Sequence, residues 1–222
     1  MRTLTSVILA CCLFITGCQQ SSKCNNSCDG QQRQCRPPQL EQDDYYMVIG
    51  SFQGVRIRNK VNSCHTFAVF CRCHEDNLLD AKTISWLPSS LDLRFLSQEV
   101  QPGTNLNYHQ TLNLSAANKC PVQLQQPKKI TRELYCRACE QVRKLESGAV
   151  KYKCNDSDTR PNACNCINAI ADMDKDIGIL PTTNQRGHAA ANTVQQHLRR
   201  WVMTENSKTN WLVKKLNEQK DK

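Results

Sequence analysis

The chain is poor in the features that would settle its class at once. It has no apolar run of about 20 residues, the length an ordinary membrane-spanning helix needs. It has no internal repeat, which excludes a solenoid or a propeller. It has no zinc-finger spacing and no RNA-binding signature. Its aromatic residues, 6% of the total, are not interleaved with basic ones, so a nucleic-acid partner is not expected. Low complexity is confined to residues 19 to 44, rich in Gln, Ser, Asn and Cys with few apolar side chains, which reads as a tether.

What is present begins at the N-terminus. Arg2 supplies a short basic region, and an apolar stretch from Val7 to Ile15 follows, broken only by Cys11 and Cys12. Ile15-Thr16-Gly17-Cys18 then places an aliphatic residue and two small or medium ones before a cysteine. Small side chains beside the scissile bond suit a signal peptidase. This segment resembles the lipobox of bacterial lipoproteins. The resemblance implies cleavage before Cys18, a diacylglycerol on its sulfur, and a further acyl chain, such as palmitate, on its new amino group. Gln19 follows instead of Asp, which resembles a sorting signal for the outer membrane, facing the periplasm. Removal of 17 residues leaves 205, enough for one medium domain with a real core.

The chain has 15 cysteines. With Cys11 and Cys12 in the signal and Cys18 lipidated, twelve remain. In an exported protein these read first as disulfides, whose connectivity the spacing does not reveal. Zinc is the competing reading for Cys136-x-x-Cys139 and Cys71-x-Cys73-His74. A redox role for the CxxC pair is a further alternative, although such pairs normally open a helix. Neither a metal nor a cofactor is expected. The formal charge of +9 is spread along the chain and dense from Arg199 to Lys222. Outside the cytoplasm, acidic partners would be anionic lipid or envelope polymers.

Hydrophobic patterning predicts the elements. Tyr45 to Ile49 reads as a strand ended by Gly50, Val55 to Ile57 as a half-buried strand, and Cys64 to Cys73 as a central strand apolar on both faces. Lys82 to Leu87, stopped by Pro88, and Leu91 to Phe95 read as further short strands. Residues 101 to 128 read as loop-rich. Ile130, Leu134, Ala138, Val142 and Leu145 form one stripe of a helix over 130–146, with Gly148 placed to cap it. Ala149 to Lys153 reads as a strand, and helices are expected over 165–171, 189–203 and 210–217. The expected fold is α+β: a small, mostly antiparallel sheet packed on helices. The expected organisation is a lipoprotein signal peptide (1–17), a Cys-rich tether (18–44), an α+β domain (45–182) and a basic helical C-terminal extension (183–222).

One constellation is chemically suggestive. Asn165 is a good N-cap, so Cys166 would open a helix. The helix dipole and unpaired backbone N–H groups there favour a thiolate, and the same N–H groups can stabilise an oxyanion. A thiolate nucleophile needs a base. His65 is the best candidate, since it lies in an otherwise apolar strand where an unpaired imidazole is costly. His74, His109, His188 and His197 have weaker contexts.

The order of a His-bearing strand, Cys64-His65-Thr66-Phe67-Ala68-Val69-Phe70, followed by Asn165-Cys166-Ile167-Asn168-Ala169-Ile170 resembles the circularly permuted papain-like superfamily. That group includes permuted NlpC/P60 proteins and lecithin:retinol acyltransferase-like enzymes. Asn168 stands where the pattern usually has His. The resemblance implies Cys166 as nucleophile and His65 as base. A polar residue on the next strand, Ser85 or else His74, would orient the ring. The expected function is a lipid-anchored cysteine hydrolase or acyltransferase of the cell envelope, acting on amide or ester bonds through a Cys166 acyl-enzyme, with peptidoglycan or another envelope polymer as its partner. The alternative is a non-catalytic, disulfide-stabilised envelope lipoprotein used for scaffolding or attachment.

The lipobox predicts that alkyne-palmitate fed to expressing cells labels the chain, and that Cys18→Ala abolishes labelling and leaves the precursor uncleaved. Persistent labelling of that variant, read by in-gel fluorescence, contradicts the expectation.

Overall fold

The structure is a computed structural model and describes residues 43–53, 64–91, 99–154, 162–174, 187–204 and 209–219. The expected signal peptide, Cys18, Val55 to Ile57 and most of Leu91 to Phe95 lie outside them. All the described residues belong to one compact unit, residues 40–222.

The fold is α+β. Strands β1 (Asp44–Gln53) and β2 (Cys64–His74) form its spine, paired antiparallel over ten residues from Asp44↔Cys73 to Gln53↔Cys64. Gly50 does not end β1. The Phe67 ring lies against its Cα, and any Cβ there would collide with the ring, so glycine is needed for close approach and not for a turn. A tight turn through Glu75 and Asp76, both at positive φ, leads into β3 (Asn77–Ile84), which pairs with β2. The strand expected over 82–87 is broken at Ser85, beyond which β4 (Trp86–Pro88) leaves for a second sheet.

Residues 101 to 128 hold more order than their composition suggests. They contain β5 (Gln101–Asn105), helix α1 (Tyr108–Ala117) and β6 (Val122–Leu124). The sequence hides α1 because its inward face carries Thr111 and Ser115 beside Tyr108 instead of an apolar stripe. Asn107 and Gln110 close a capping box at its start. β7 (Lys128–Ile130) then precedes α2 (Arg132–Glu146), which is capped by Thr131 and buries Leu134, Tyr135, Ala138, Gln141, Val142 and Leu145. Gly148 follows at φ +75°, a left-handed conformation suited to glycine. Next come β8 (Lys151–Tyr152), β9 (Ala163–Cys164), α3 (Cys166–Ala171) and α4 (His188–His197). A 3-10 turn (Arg199–Trp201), β10 (Val202–Thr204) and α5 (Asn210–Glu218) end the described chain.

The main sheet has the order β10-β7-β1-β2-β3, with β6 also on β1, and every pairing in it is antiparallel. The second sheet, β4-β5-β8-β9, is antiparallel except for its β8–β9 pair. The C-terminal stretch is part of this architecture: β10 joins the main sheet, and the apolar faces of α4 and α5 enter the core.

Side chains alternate across a strand, so the main sheet has two apolar faces. Met47, Ile49, Ala68, Phe70 and Ile84 point to face one and pack with α2, α3 and α4. Tyr46, Val48, Phe52, Phe67, Val69, Cys71 and Cys73 point to face two and pack with Tyr108 of α1 and Leu212 and Leu216 of α5. Asp174, fully buried, pairs with Arg200 and accepts the Trp201 Nε1–H at 2.8 Å, fastening the C-terminal chain beside the end of α3. Arg137 and Arg200 lie 4.8 and 5.0 Å from the centre of the Trp201 ring.

Gly50→Ala is expected to cost about 1–3 kcal/mol by overpacking against the fully buried Phe67. A urea unfolding midpoint unchanged from wild type removes this account of Gly50.

Candidate functional site

His65 is 1% exposed and belongs to face two. Its ring lies 5.2 Å from Phe52 and 6.2 Å from Phe67, centre to centre. Nε2 is 2.8 Å from Ser85 Oγ, so the residue expected to orient the imidazole is beside it. The chain continues into α1, where Thr111 Oγ1 is 2.8 Å from Ser85 Oγ and donates to the Asn107 carbonyl at 2.8 Å. Asn105 fixes Ser85 from outside by accepting its backbone N–H at 2.9 Å and donating to the Thr83 carbonyl at 2.8 Å. Whichever way the hydroxyl protons point, His65 Nδ1 has no hydrogen-bond partner among the described residues. Burial pushes the imidazole down to about 3 from 6.5, because the apolar surroundings disfavour the cation. A base with that affinity is poorly matched to neutral pH.

Cys166 is 8% exposed and packs in the face-one core with Met47, Ile49 and Phe70. The structure therefore brings His65 and Ser85 together but puts Cys166 across the sheet from both. The helix that Cys166 opens has six residues. The N–H groups of Ile167 and Asn168, in its second and third positions, both donate to Asn165 Oδ1 at 2.9 Å. Asn165 caps the helix, and by doing so it occupies two of the groups that could meet an oxyanion.

The cysteine pairs with ligand-like spacing do not converge. Cys71 and Cys73 are buried on face two, while Cys136 is exposed and Cys139 half-buried on α2, which covers face one. His74 Nδ1 lies 3.6 Å from Asp43. Among the described residues no group of three or more His, Cys, Asp or Glu is arranged to hold a metal. No disulfide joins two of the described cysteines. Burial, reinforced by Asp44, Asp76 and Asp43, pushes the Cys73 thiol up to about 12, and burial moves Cys71 the same way.

Two features went unseen in the sequence. Ser51 Oγ and His188 Nδ1 meet at 3.2 Å across 137 residues of chain, a contact no local pattern signals. A recess of about 990 Å³ runs along β3, the edge strand of the main sheet. Leu79, Ala81 and Thr83 of β3, Val142 and Arg143 of α2, Tyr108 of α1 and Leu216 of α5 are among the residues that line it. Lys82 at its rim holds Asp80 at 3.2 Å, and the Tyr135 hydroxyl donates to the same carboxylate at 2.5 Å. Burial alone would raise Asp80, but the Tyr135 and Lys82 contacts outweigh it and hold the carboxyl below its usual range.

No family model, no curated protein and no solved structure matches the chain.

The His65 shift fixes a pH dependence. Above about 6.5 the ring is neutral folded or unfolded, so it favours neither state. As pH falls from 6.5 towards 3, only the unfolded chain takes the proton, and stability falls by up to about 1.4 kcal/mol per pH unit. Urea unfolding between pH 6 and 4 should therefore show a shallower loss for His65→Gln than for wild type. Equal slopes sink the argument.

Proposed function

We propose that the chain is a lipid-anchored protein of the cell envelope, tethered to the outer membrane at Cys18 and facing the periplasm, that holds envelope material instead of cleaving it. The observation that carries the non-catalytic half is the sheet lying between the Cys166 side chain and the His65 ring. Proton transfer needs the two groups within hydrogen-bond reach or linked by one water. Here the imidazole is enclosed by Phe52 and Phe67, engaged by Ser85, and kept neutral by burial.

The anchor rests on Ile15-Thr16-Gly17-Cys18. The described helices fit a protein held by lipid, since none is long and apolar enough to cross a membrane. The recess along β3 offers room for a bound segment, with Arg143 facing it and Lys82, paired with Asp80, at its rim, both of a sign to attract acidic groups. Peptidoglycan, with its carboxylate-bearing peptides, is the envelope polymer proposed.

A cysteine hydrolase on a permuted papain-like fold is the second reading. It is favoured by one arrangement: a cysteine-led helix lying on an antiparallel sheet. It requires a base other than His65, presented on face one.

Co-sedimentation with isolated peptidoglycan sacculi tests both. Wild type and Cys166→Ser are expected to sediment equally and to release no new amino groups. The Lys82→Glu/Arg143→Glu double variant is expected to bind about twofold to fivefold more weakly, the range for surface charge contacts. Release of amino groups by wild type but not by Cys166→Ser establishes the hydrolase. Absence of any sedimentation rejects the polymer.

A further inference from the structure

We propose that the recess along β3 holds peptidoglycan by its peptides and not by its sugar strands, taking one peptide as an added strand on the outer edge of β3. This deepens the peptidoglycan reading and rests on it.

β3 has a strand partner on one side only, β2, and their ladder ends at Ala68↔Ile84. On the other side, the lane beside the chain is filled by β5 only past Ser85. There β5 pairs with β4 from Trp86↔Asn105 to Pro88↔Gly103, and the Leu106 N–H donates to the Ser85 carbonyl at 3.0 Å. At Asn107 the chain leaves this lane and enters α1. The recess, lined by Leu79, Ala81 and Thr83 together with Asn107, continues the same lane along β3.

The N–H and C=O groups of alternate residues in a strand face the same edge. Ser85 faces β5, so Thr83 and Ala81 face the recess. The contacts agree with this. Asn105 Oδ1 accepts the Ser85 N–H at 2.9 Å, and its Nδ2 donates to the Thr83 carbonyl at 2.8 Å, so one side chain replaces one step of a strand. The Ala81 N–H turns to the Asp80 carboxylate. The Thr83 N–H and the Ala81 carbonyl are left, with no partner among the described residues. Thr83 is buried, and a donor kept from water without a partner is costly. One residue of a strand running parallel to β3 satisfies both groups, giving its N–H to Ala81 and accepting from Thr83. Two bonds to a single α-linked residue ask little of the residues on either side, which suits the short stem peptides of peptidoglycan with their mixture of D and L residues.

The surroundings also favour a peptide. A bulge sets Asp80 opposite Arg72 and Leu78 opposite Cys73, leaving Leu79 with no position on β2; it is exposed and lines the recess, a foothold for an apolar side chain. Arg143 and Glu146, one turn apart on α2, bring one charge of each sign, and neither is in an ion pair among the described residues. A stem peptide complements both with its carboxylates and the free amino group of its diamino-acid residue; a sugar strand offers no such pair. The four steps from Leu79 to Thr83, at about 3.4 Å each, give about 14 Å, the reach of a peptide of about five residues. A second copy of the chain does not fit, since its own β3 edge is recessed in the same way.

The test uses the isotope-labelled full chain and two probes made from the same sacculi: stem peptides released by an amidase, and the sugar strands that remain. Stem peptides are expected to move the Thr83 amide proton downfield and to release the chain from sacculi; sugar strands are expected to do neither. Thr83→Pro removes the donor and spares the β2 ladder, which uses Lys82 and Ile84, and is expected to bind stem peptides about fivefold more weakly, the worth of one hydrogen bond. Sugar strands that release the chain where stem peptides do not overturn the inference and leave polymer binding standing. Stem peptides that bind without moving the Thr83 amide overturn the added strand, even if the variant fails to fold. Tighter binding of an all-L peptide of the same length overturns the choice of occupant. Absence of sedimentation with sacculi removes the polymer, and a Thr83 amide unmoved by stem peptides then removes this inference with it.

Discussion

The ten-residue ladder between β1 and β2 is the constraint on which the rest is built. Both strands are apolar on both faces, so the pair is stable only if each face is covered. The helices divide accordingly, with α2, α3 and α4 on one side and α1 and α5 on the other. Within that ladder the two-residue period leaves no freedom. Phe67, Val69 and Cys71 must point one way, so His65 points with them; Ala68 and Phe70 point to the side where Cys166 packs. Sliding the register by one residue would exchange every side chain of the strand between faces. The separation of His65 from Cys166 is therefore a consequence of the core, not a local accident that a side-chain rotation repairs.

Polar groups buried under such a core need partners, and the fold uses them to attach its weaker elements. α1 brings little apolar surface; Thr111 joins the His65–Ser85 pair, Tyr108 donates to Asn217 of α5 at 2.8 Å, and Ser115 donates to the Cys120 carbonyl. The Asp174 carboxylate, with Arg200 and the Trp201 indole, does the same for the chain after α4. A histidine that serves as one link in this scheme is held neutral by its burial. The environment that makes the link secure is the one that spoils the ring as a base.

The sequence shows what periodicity can encode. The stripe of Ile130, Leu134, Ala138, Val142 and Leu145 is legible because each member is apolar, and all five lie in the face-one core. The central position of β2 was legible from its two apolar faces. Helix α1 was not, because hydrogen bonds carry its inward face. Gly50 misled because glycine permits both a turn and a close approach, and only the distant Phe67 ring decides between them. At the candidate site, the nearness of Ser85 to His65 was readable from strand order. The side of the sheet was equally available from the parity of positions 65, 68 and 70, but where Cys166 packs depends on how α3 docks, which no local pattern states.

The Asn-Cys pair at the start of α3 shows why a motif of this length carries two meanings. A short helix has few unpaired N–H groups near its tip, and an asparagine cap competes for the same ones an oxyanion would use. In this chain the competition is resolved towards structure: Asn165 Oδ1 takes the donors of Ile167 and Asn168, leaving that pair of groups unavailable to a developing negative charge. With six residues, α3 adds only a weak dipole in compensation. A cysteine at such a position has its neighbours arranged for packing: Met47, Ile49 and Phe70 share its core, and β9, paired with β8, ends two residues before it. The same local sequence would favour chemistry only where the cap is loosened and an imidazole reaches the sulfur from face one, two conditions that are set outside the motif.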